Sequence, residues 1–194
     1  MNAARRALAA DILAAARRHD ERQSDRLARY RNVEPQTAEL LAILIRAMRA
    51  RRILEIGTSN GYSTIWLADA AQATGGSVCS VEIDAERTAL ARANLARAGL
   101  AAELRTEDAA VTLARADAGC FDLVFLDSER DAYADLWPAL LRVLRADGGT
   151  LAIDNVISHA AEVAEVTALI EAEPSVASVL LDVGAGVRLV TRCE

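Results

Sequence analysis

The sequence predicts an open α/β fold in which a mostly parallel sheet carries helices on both faces. From Arg52 onward, short apolar runs alternate with helical segments along the chain. Strands that lie between helices are typical of a parallel sheet that is buried on both faces. The 194 residues suit one domain, and hydrophobic residues, at 53%, are plentiful enough to form its core.

The composition argues against several classes of protein. The net charge of −6 argues against a nucleic-acid-binding surface. No window approaches the roughly 18 continuous apolar residues of a membrane span, and the charged N-terminus lacks the apolar core of a signal peptide. The three scattered cysteines form neither a disulfide framework nor a zinc site. We therefore expect a cytoplasmic domain with no membrane or nucleic-acid partner.

The helices and strands follow from local patterns along the chain. Residues 3–30 are rich in alanine and arginine and predict one helix or a helix pair, and Pro35 suits the first turn of the next helix. Apolar runs predict strands at 53–56, 78–83, 102–105, 123–126 and 150–153. Helices are expected between and after them at 61–72, 85–98, 109–117, 131–145 and 160–172. The last two runs, 176–182 and 187–191, flank a glycine-containing turn and predict an antiparallel hairpin at one edge of the sheet.

Polar residues at three successive strand ends predict a nucleoside site. Open α/β sheets bind ligands beyond the carboxyl ends of their strands. Gly57 and Gly61 lie in the turn after the first run, where glycine lets the backbone approach a ligand. Glu82 ends the second run, where an acid can accept hydrogen bonds from a ribose diol, and Asp108 follows the third run. The alternative for the neighbouring Asp84 is a helix N-cap.

The fourth and fifth strand ends indicate a cation site. Asp127 follows one run, and Asp154 and Asn155 follow the other. If these strands are neighbours about 4.8 Å apart, the two carboxylates meet and repel unless a cation lies between them. Oxygen ligands favour Mg²⁺, Mn²⁺ or Ca²⁺ over zinc. The alternative is that both aspartates cap the segments that follow them.

Three segments carry a family resemblance: ILEIGTSNGYSTIWLADA, SVEIDAER and FDLVFLDSERDAYADLWPALLRVLRADGGTLAIDN. The chain resembles the cation-dependent, S-adenosylmethionine-dependent O-methyltransferases, which include catechol and caffeoyl-CoA O-methyltransferases. The resemblance implies a Rossmann-like class I methyltransferase fold with seven strands, of which the last is antiparallel. It places this domain at 33–194, after an N-terminal helical extension at 1–32. It also implies S-adenosylmethionine, a divalent cation and a homodimer, but it does not carry over the acceptor. We expect a small, catechol-like acceptor, since vicinal hydroxyls would suit a cation with two open positions.

The resemblance also assigns site residues by position. One group would line the methionine end of S-adenosylmethionine: Glu55, Gly57, Thr58 and Ser63. Others would complete the cofactor site: Glu82 at the ribose, Asp108 and Ala109 at the adenine, and Val33 and Asp127 beside the cofactor. The implied metal ligands are Asp127, Asp154 and Asn155.

The chain departs from the family at the position of a frequent general base. Relatives commonly read Asp-Ala-Asp-Lys where this chain reads Asp127-Ser128-Glu129-Arg130, and all 22 basic residues here are arginine. Arginine stays protonated at ordinary pH, so Arg130 can stabilise an anionic substrate but cannot deprotonate it. His159 is a candidate proton acceptor, with an unperturbed pKa near 6.5. Its alternative is a loop histidine or a helix cap.

Two other functions fit parts of the sequence. Residues 57–61 match the G-x-S-x-G turn of α/β-hydrolases, with Ser59 as nucleophile and Asp154 and His159 following in the right order. The helical pattern of the first 50 residues argues against that fold, in which strands precede the turn. The missing lysine also leaves open a non-catalytic module that binds S-adenosylmethionine.

Overall fold

The computed structural model describes residues 1–193, which contain seven strands and seven α-helices. The strands are β1 (Arg52–Ile56), β2 (Ser77–Glu82), β3 (Glu103–Thr106), β4 (Leu123–Leu126), β5 (Thr150–Ile153), β6 (Val176–Leu181) and β7 (Val187–Arg192). The helices are α1 (Ala3–Asp20), α2 (Pro35–Met48), α3 (Tyr62–Thr74), α4 (Ala85–Ala98), α5 (Ala109–Arg115), α6 (Tyr133–Val143) and α7 (Ala164–Ala172). Single 3₁₀ turns lie at Arg26–Ala28 and Arg130–Ala132.

All seven strands form one sheet in the order β3-β2-β1-β4-β5-β7-β6. The strands from β1 to β5 pair in parallel, and β7 runs antiparallel to both β5 and β6. This arrangement confirms the mostly parallel sheet with an antiparallel last strand. The chain order reverses between β1 and β4, the position at which doubly wound sheets open a binding crevice.

Helices cover both faces of the sheet, as predicted. One core contains side chains from α1 to α4, such as Leu41, Ile65 and Leu95, packed against Ile53. The other contains side chains from α5 to α7 packed against the opposite side of the strands, where Leu54 lies. Because side chains alternate along a strand, β1 supplies both cores in turn. No helix within residues 1–193 is both long and apolar enough to cross a membrane.

The helix expected at 160–172 begins only at Ala164, so its predicted start is wrong. The backbone of Val156 and Ile157 instead donates hydrogen bonds to the carbonyls of Gly186 and Ala185 in the turn before β7. Residues 160–163 form hydrogen-bonded turns before the helix, in which Glu162 and Val163 donate to the carbonyl of His159. The pairing with Gly186 and Ala185 joins the segment before them to the turn that precedes β7. It also fixes the residues that follow Asn155 beside the end of the sheet.

Candidate active site

The turn after β1 packs directly against the end of β4. Gly57 has φ +104°, and a Cβ added there would lie 1.9 Å from the carbonyl oxygen of Asp127. At Gly61, with φ +83°, an added Cβ would lie 3.0 Å from the backbone of Ala91. An L-residue at Gly57 would be strained by its backbone and blocked by its neighbour. The turn therefore needs glycine to hold its backbone against the rim of the sheet.

Glu55 lies beneath this turn and is fully buried. Three hydroxyls donate hydrogen bonds to its carboxylate, each at 2.5 Å: those of Ser63, Thr64 and Ser80. The hydroxyl of Thr58 lies 2.6 Å from that of Ser80. Burial raises the pKa of Glu55 to about 7, although the three hydroxyls oppose the rise. A cation beside this cluster would favour the ionised carboxylate.

Glu82 ends β2 on the other side of the turn. Its carboxylate accepts hydrogen bonds from the backbone N–H of Ser59, at 2.8 Å, and of Asp84, at 3.1 Å. The carboxyl group of Asp84 caps α4, which confirms the alternative for that residue, and the carboxyl group of Asp108 caps α5. Asp108 is exposed at the outer end of the site, and Ala109 beside it is half-buried.

Ile83, which lies between Glu82 and the cap residue Asp84, is a further candidate site residue that the sequence pattern did not indicate. Its side chain is 73% exposed, which is unusual for isoleucine at the end of a buried strand. An exposed apolar side chain beside the edge where the sequence predicts a nucleoside would offer a surface on which a base can pack. The apolar pattern includes Ile83 in the strand expected at 78–83, whereas β2 ends at Glu82, so the sequence held no signal of its exposure.

The structure brings Asp127, Asp154 and Asn155 together, and we call these three residues the acidic corner. They meet because β4 and β5 are neighbours. The side-chain amide of Asn155 donates to Asp127 and to Asp154, at 3.1 Å each, and the hydroxyl of Thr37 donates to Asp154 at 3.3 Å. Burial raises the pKa of both carboxyls, and the charge of Asp154 adds to the rise at Asp127.

The donor set of the acidic corner fits a hard cation. A positive ion between the two carboxylates would relieve both the burial of their charges and the repulsion that Asp154 exerts on Asp127. A half-turn of the Asn155 amide would direct its oxygen, rather than its nitrogen, toward the carboxylates. Within residues 1–193 no group of three or more histidine, cysteine, aspartate or glutamate side chains is placed to hold a metal. The third protein ligand here would therefore be the amide of Asn155.

Arg130 and His159 lie in the loops that follow Asp127 and Asn155. Arg130 is 6% exposed, and its Nε donates to a carboxylate oxygen of Glu162 at 2.8 Å. Its positive charge lowers the pKa of both aspartates of the acidic corner, against the larger effect of burial. The Nδ1 of His159 lies 2.8 Å from the hydroxyl of Ser158, and its backbone donates to the carbonyl of Asn155.

The segment between α1 and α2, residues 21–33, crosses this edge of the sheet, and we call it the strap. The carbonyl of Tyr30 accepts a hydrogen bond from the Ser59 hydroxyl at 2.9 Å. Arg26 and Arg31 form ion pairs with Glu129, which follows β4. At the end of the strap, Val33 is buried in the core that contains α2. The strap thus connects the glycine turn with the loop that holds Arg130.

The hydrolase alternative finds no support in this geometry. The hydroxyl of Ser59 donates to the strap, and the ring of His159 is paired with Ser158. Only helices precede β1 in the part of the chain that the structure describes. A hydrolase of this kind needs the hydroxyl of Ser59 within hydrogen-bond reach of the ring of His159, and neither contact joins these two side chains.

Comparison with known sequences gives the family. The sequence profile of the O-methyltransferase family matches residues 7–193. A catechol O-methyltransferase of Mycobacterium tuberculosis is 38% identical over 135 residues, which cover 69% of this chain and 60% of that protein. A catechol O-methyltransferase of Niastella koreensis is 36% identical over 132 residues, covering 65% of this chain and 58% of that protein. The chain thus covers less than two thirds of either relative's own length.

Solved structures give the same result. An O-methyltransferase from Bacillus cereus in complex with S-adenosylhomocysteine superposes with a TM-score of 0.79 at 27% identity, covering 96% of this chain and 90% of that one. The O-methyltransferase TomG from Streptomyces achromogenes, in complex with S-adenosylmethionine, gives a TM-score of 0.79 at 27% identity, covering 100% and 91%. With a profile match over nearly its whole length and the same fold as these proteins, the chain belongs to the O-methyltransferase family.

Proposed function

We propose that this protein transfers the methyl group of S-adenosylmethionine to a hydroxyl of a small molecule, with a divalent cation held at the acidic corner. One observation carries the proposal. Gly57, in the turn that would hold the cofactor, packs against the carbonyl of Asp127, the first residue of the acidic corner. A methyl donor on the turn and a hydroxyl at the corner would therefore lie side by side, as in-line transfer requires.

The cofactor would lie along the ends of β1, β2 and β3. Glu55 beneath the turn, with Thr58 and Ser63, would face the cationic methionine end. Glu82 retains acceptor capacity for a ribose diol, Ile83 offers its exposed face to the adenine, and Asp108 and Ala109 would flank the base. The complexes of the Bacillus cereus protein with S-adenosylhomocysteine and of TomG with S-adenosylmethionine support the choice of cofactor.

The residues of the acceptor side would position the hydroxyl and balance its charge. Asp127, Asp154 and Asn155 would hold the cation, which lowers the pKa of a hydroxyl that it coordinates. Arg130 would place a fixed positive charge beside the acceptor, since a guanidinium does not act as a base. The transfer breaks the sulfonium–methyl bond, forms an oxygen–methyl bond and releases one proton. His159, in the turn next to Asn155, is our candidate acceptor for that proton.

Tyr133 positions the loop between the two halves of the site. Its hydroxyl accepts a hydrogen bond from the backbone N–H of Ser128, at 3.0 Å, and donates one to the carbonyl of the same residue, at 3.2 Å. Burial raises the pKa of Tyr133, so the phenol stays protonated and keeps both bonds. Because Tyr133 is the first residue of α6, these two hydrogen bonds attach the backbone that follows Asp127 to that helix.

We propose a catechol-like acceptor, since two neighbouring hydroxyls suit a cation that has two open positions. The catechol O-methyltransferases of Mycobacterium tuberculosis and Niastella koreensis support this choice. The second candidate is a module that binds the cofactor without turnover, because Arg130 replaces the family lysine. The homodimer, the cytoplasmic location and the division at residues 32 and 33 stay predictions.

The proposal is tested with Asp154→Ala, a labelled methyl donor and a panel of catechols, flavonoids and acyl-CoA thioesters. We expect the variant to lose transfer by about a hundredfold or more while it binds S-adenosylhomocysteine normally, because Asp154 is a cation ligand and lies outside the turn. Asp11→Ala, an exposed aspartate of α1, is the matched control. Full activity of Asp154→Ala in chelator would discard the cation role. Binding without turnover by the unmodified protein would favour the second candidate.

A further inference from the structure

Three arginines pair with glutamates in the segments that follow the residues of the acidic corner, and we call them the arginine cluster: Arg26, Arg31 and Arg130. Arg26 lies 2.7 Å from Glu129 and 3.7 Å from Glu162, Arg31 pairs with Glu129, and Arg130 donates to Glu162. Three guanidiniums thus face two carboxylates in a chain whose net charge is −6. A divalent cation would balance the two aspartates of the corner. One positive charge of the cluster therefore has no counterpart in these pairs.

The arginine cluster also holds hydrogen-bond donors that these pairs do not use. The Nε of Arg31 is buried and has no hydrogen-bond partner among residues 1–193. The side-chain oxygen and nitrogen of the adjacent Asn32 are likewise buried without a hydrogen-bond partner among these residues. Arg130 is 6% exposed, and the hydrogen bond found for it in the described chain is the one from Nε to Glu162. Buried polar groups without partners are uncommon, and at a binding site they indicate a ligand that would satisfy them.

A purely structural role accounts for only part of the cluster. The pairs of Arg26 and Arg31 with Glu129 hold the strap against the loop after β4. That attachment needs neither the buried Nε of Arg31 nor the buried guanidinium of Arg130. Both arginines also lie near the corner, because Arg130 follows Asp127 by three residues and Arg31 pairs with Glu129, two residues after Asp127. Their spare donors are thus available at the place where the acceptor would bind.

We infer that Arg31 and Arg130 bind an acidic group of the acceptor, so that the preferred substrate is a catechol that carries a carboxylate. A guanidinium pairs with a carboxylate through two parallel N–H donors, which a neutral ring substituent does not match. Arg26, which lies beside Glu129 and Glu162, supplies further positive charge. The inference rests on the proposed function, because it specifies the acceptor of the same site.

The first test compares protocatechuate, a catechol that bears a carboxylate, with its uncharged amide. In the presence of Mg²⁺ and saturating S-adenosylmethionine, we expect kcat/KM to favour the acid by about tenfold, mainly through a lower KM. Arg31→Gln and Arg130→Gln should each reduce this preference to about twofold. Arg22→Gln, which removes an exposed arginine of the strap without an ion pair in the described chain, should keep it. Two site variants are used because either substitution alone could disturb folding.

The second test measures binding without turnover. Calorimetry on protein saturated with S-adenosylhomocysteine and Mg²⁺ should show the acid binding about tenfold more tightly than the amide. Arg31→Lys should retain part of this difference, since it keeps the charge but loses the paired donors.

The results separate the inference from the proposed function. Equal affinity for the acid and the amide would overturn the inference. Equal turnover of the two compounds would also overturn it, but would leave the methyltransferase function in place. Tighter binding of the acid with no methylation of either compound would support the acidic-group site and refute the proposed activity.

Discussion

Replacing Gly57 with alanine tests whether the contact between the glycine turn and the acidic corner is needed for cofactor binding. The added Cβ would lie 1.9 Å from the carbonyl oxygen of Asp127, well inside van der Waals contact, at a residue with φ +104°. The backbone strain alone costs on the order of 1–3 kcal/mol. Since the turn must also move away from β4, we expect a total loss of at least about 3 kcal/mol in the free energy of unfolding.

The same displacement should weaken cofactor binding. Because the backbone at Gly57 would approach the ligand closely, we expect the affinity for S-adenosylhomocysteine to fall by about a hundredfold, or about 2.7 kcal/mol. Calorimetry measures the affinity, and denaturant unfolding measures the stability.

Gly99→Ala is the matched control. Gly99 also has a positive φ, +62°, but nothing lies within 4 Å of an added Cβ. It should lose about 1 kcal/mol of stability through backbone strain and keep its affinity for S-adenosylhomocysteine. Unchanged affinity in a folded Gly57→Ala protein would refute the placement of the cofactor on this turn.

Three further variants test separate parts of the site. The pKa of Glu55 is about 7 in the folded protein and 4.5 without burial, so between these pH values the carboxyl is protonated when folded and ionised when unfolded. As the pH rises through this range, the free energy of unfolding should fall by about 3 kcal/mol relative to that of Glu55→Gln. Parallel curves for the two proteins would contradict this. Ile83→Ala should weaken S-adenosylhomocysteine binding about tenfold without loss of stability, whereas Ile43→Ala, 63% exposed on α2, should change neither. Glu129→Gln removes the partner of two strap arginines and should make trypsin cleave the strap about threefold faster. Glu103→Gln, at an exposed ion pair on β3, should leave the cleavage rate unchanged. Equal cleavage rates for the two variants would show that Glu129 does not hold the strap.

The sequence predicted the sheet and most of the cofactor edge because both depend on short-range patterns. Apolar runs located the strands, and the polar residues at or just beyond the end of each run located Glu82, Asp108, Asp127 and Asp154. Parallel pairing then brings strand ends to one edge, whatever the details of the loops. The resemblance supplied the roles of residues such as Ser63, whose bond to Glu55 crosses from helix to strand.

The strap could not be predicted in the same way. Residues 21–33 contain no apolar period, and their position is set by pairs with residues far away in the chain, such as Arg31 with Glu129 and Tyr30 with Ser59. Ile83 was missed because its exposure depends on where the strand ends, and strand ends are set by hydrogen bonds to neighbouring strands. Both features belong to tertiary structure rather than to local sequence.

The path of the strap has a consequence for the order of events during turnover. Since it is bonded to the glycine turn through Ser59 and to the loop after β4 through Glu129, it closes over the edge where the nucleoside would bind. S-adenosylhomocysteine would then leave only after the strap detaches, and a new S-adenosylmethionine would have to bind before the strap returns. We therefore expect release of the demethylated nucleoside, rather than the chemical step, to limit the rate when the acceptor is abundant.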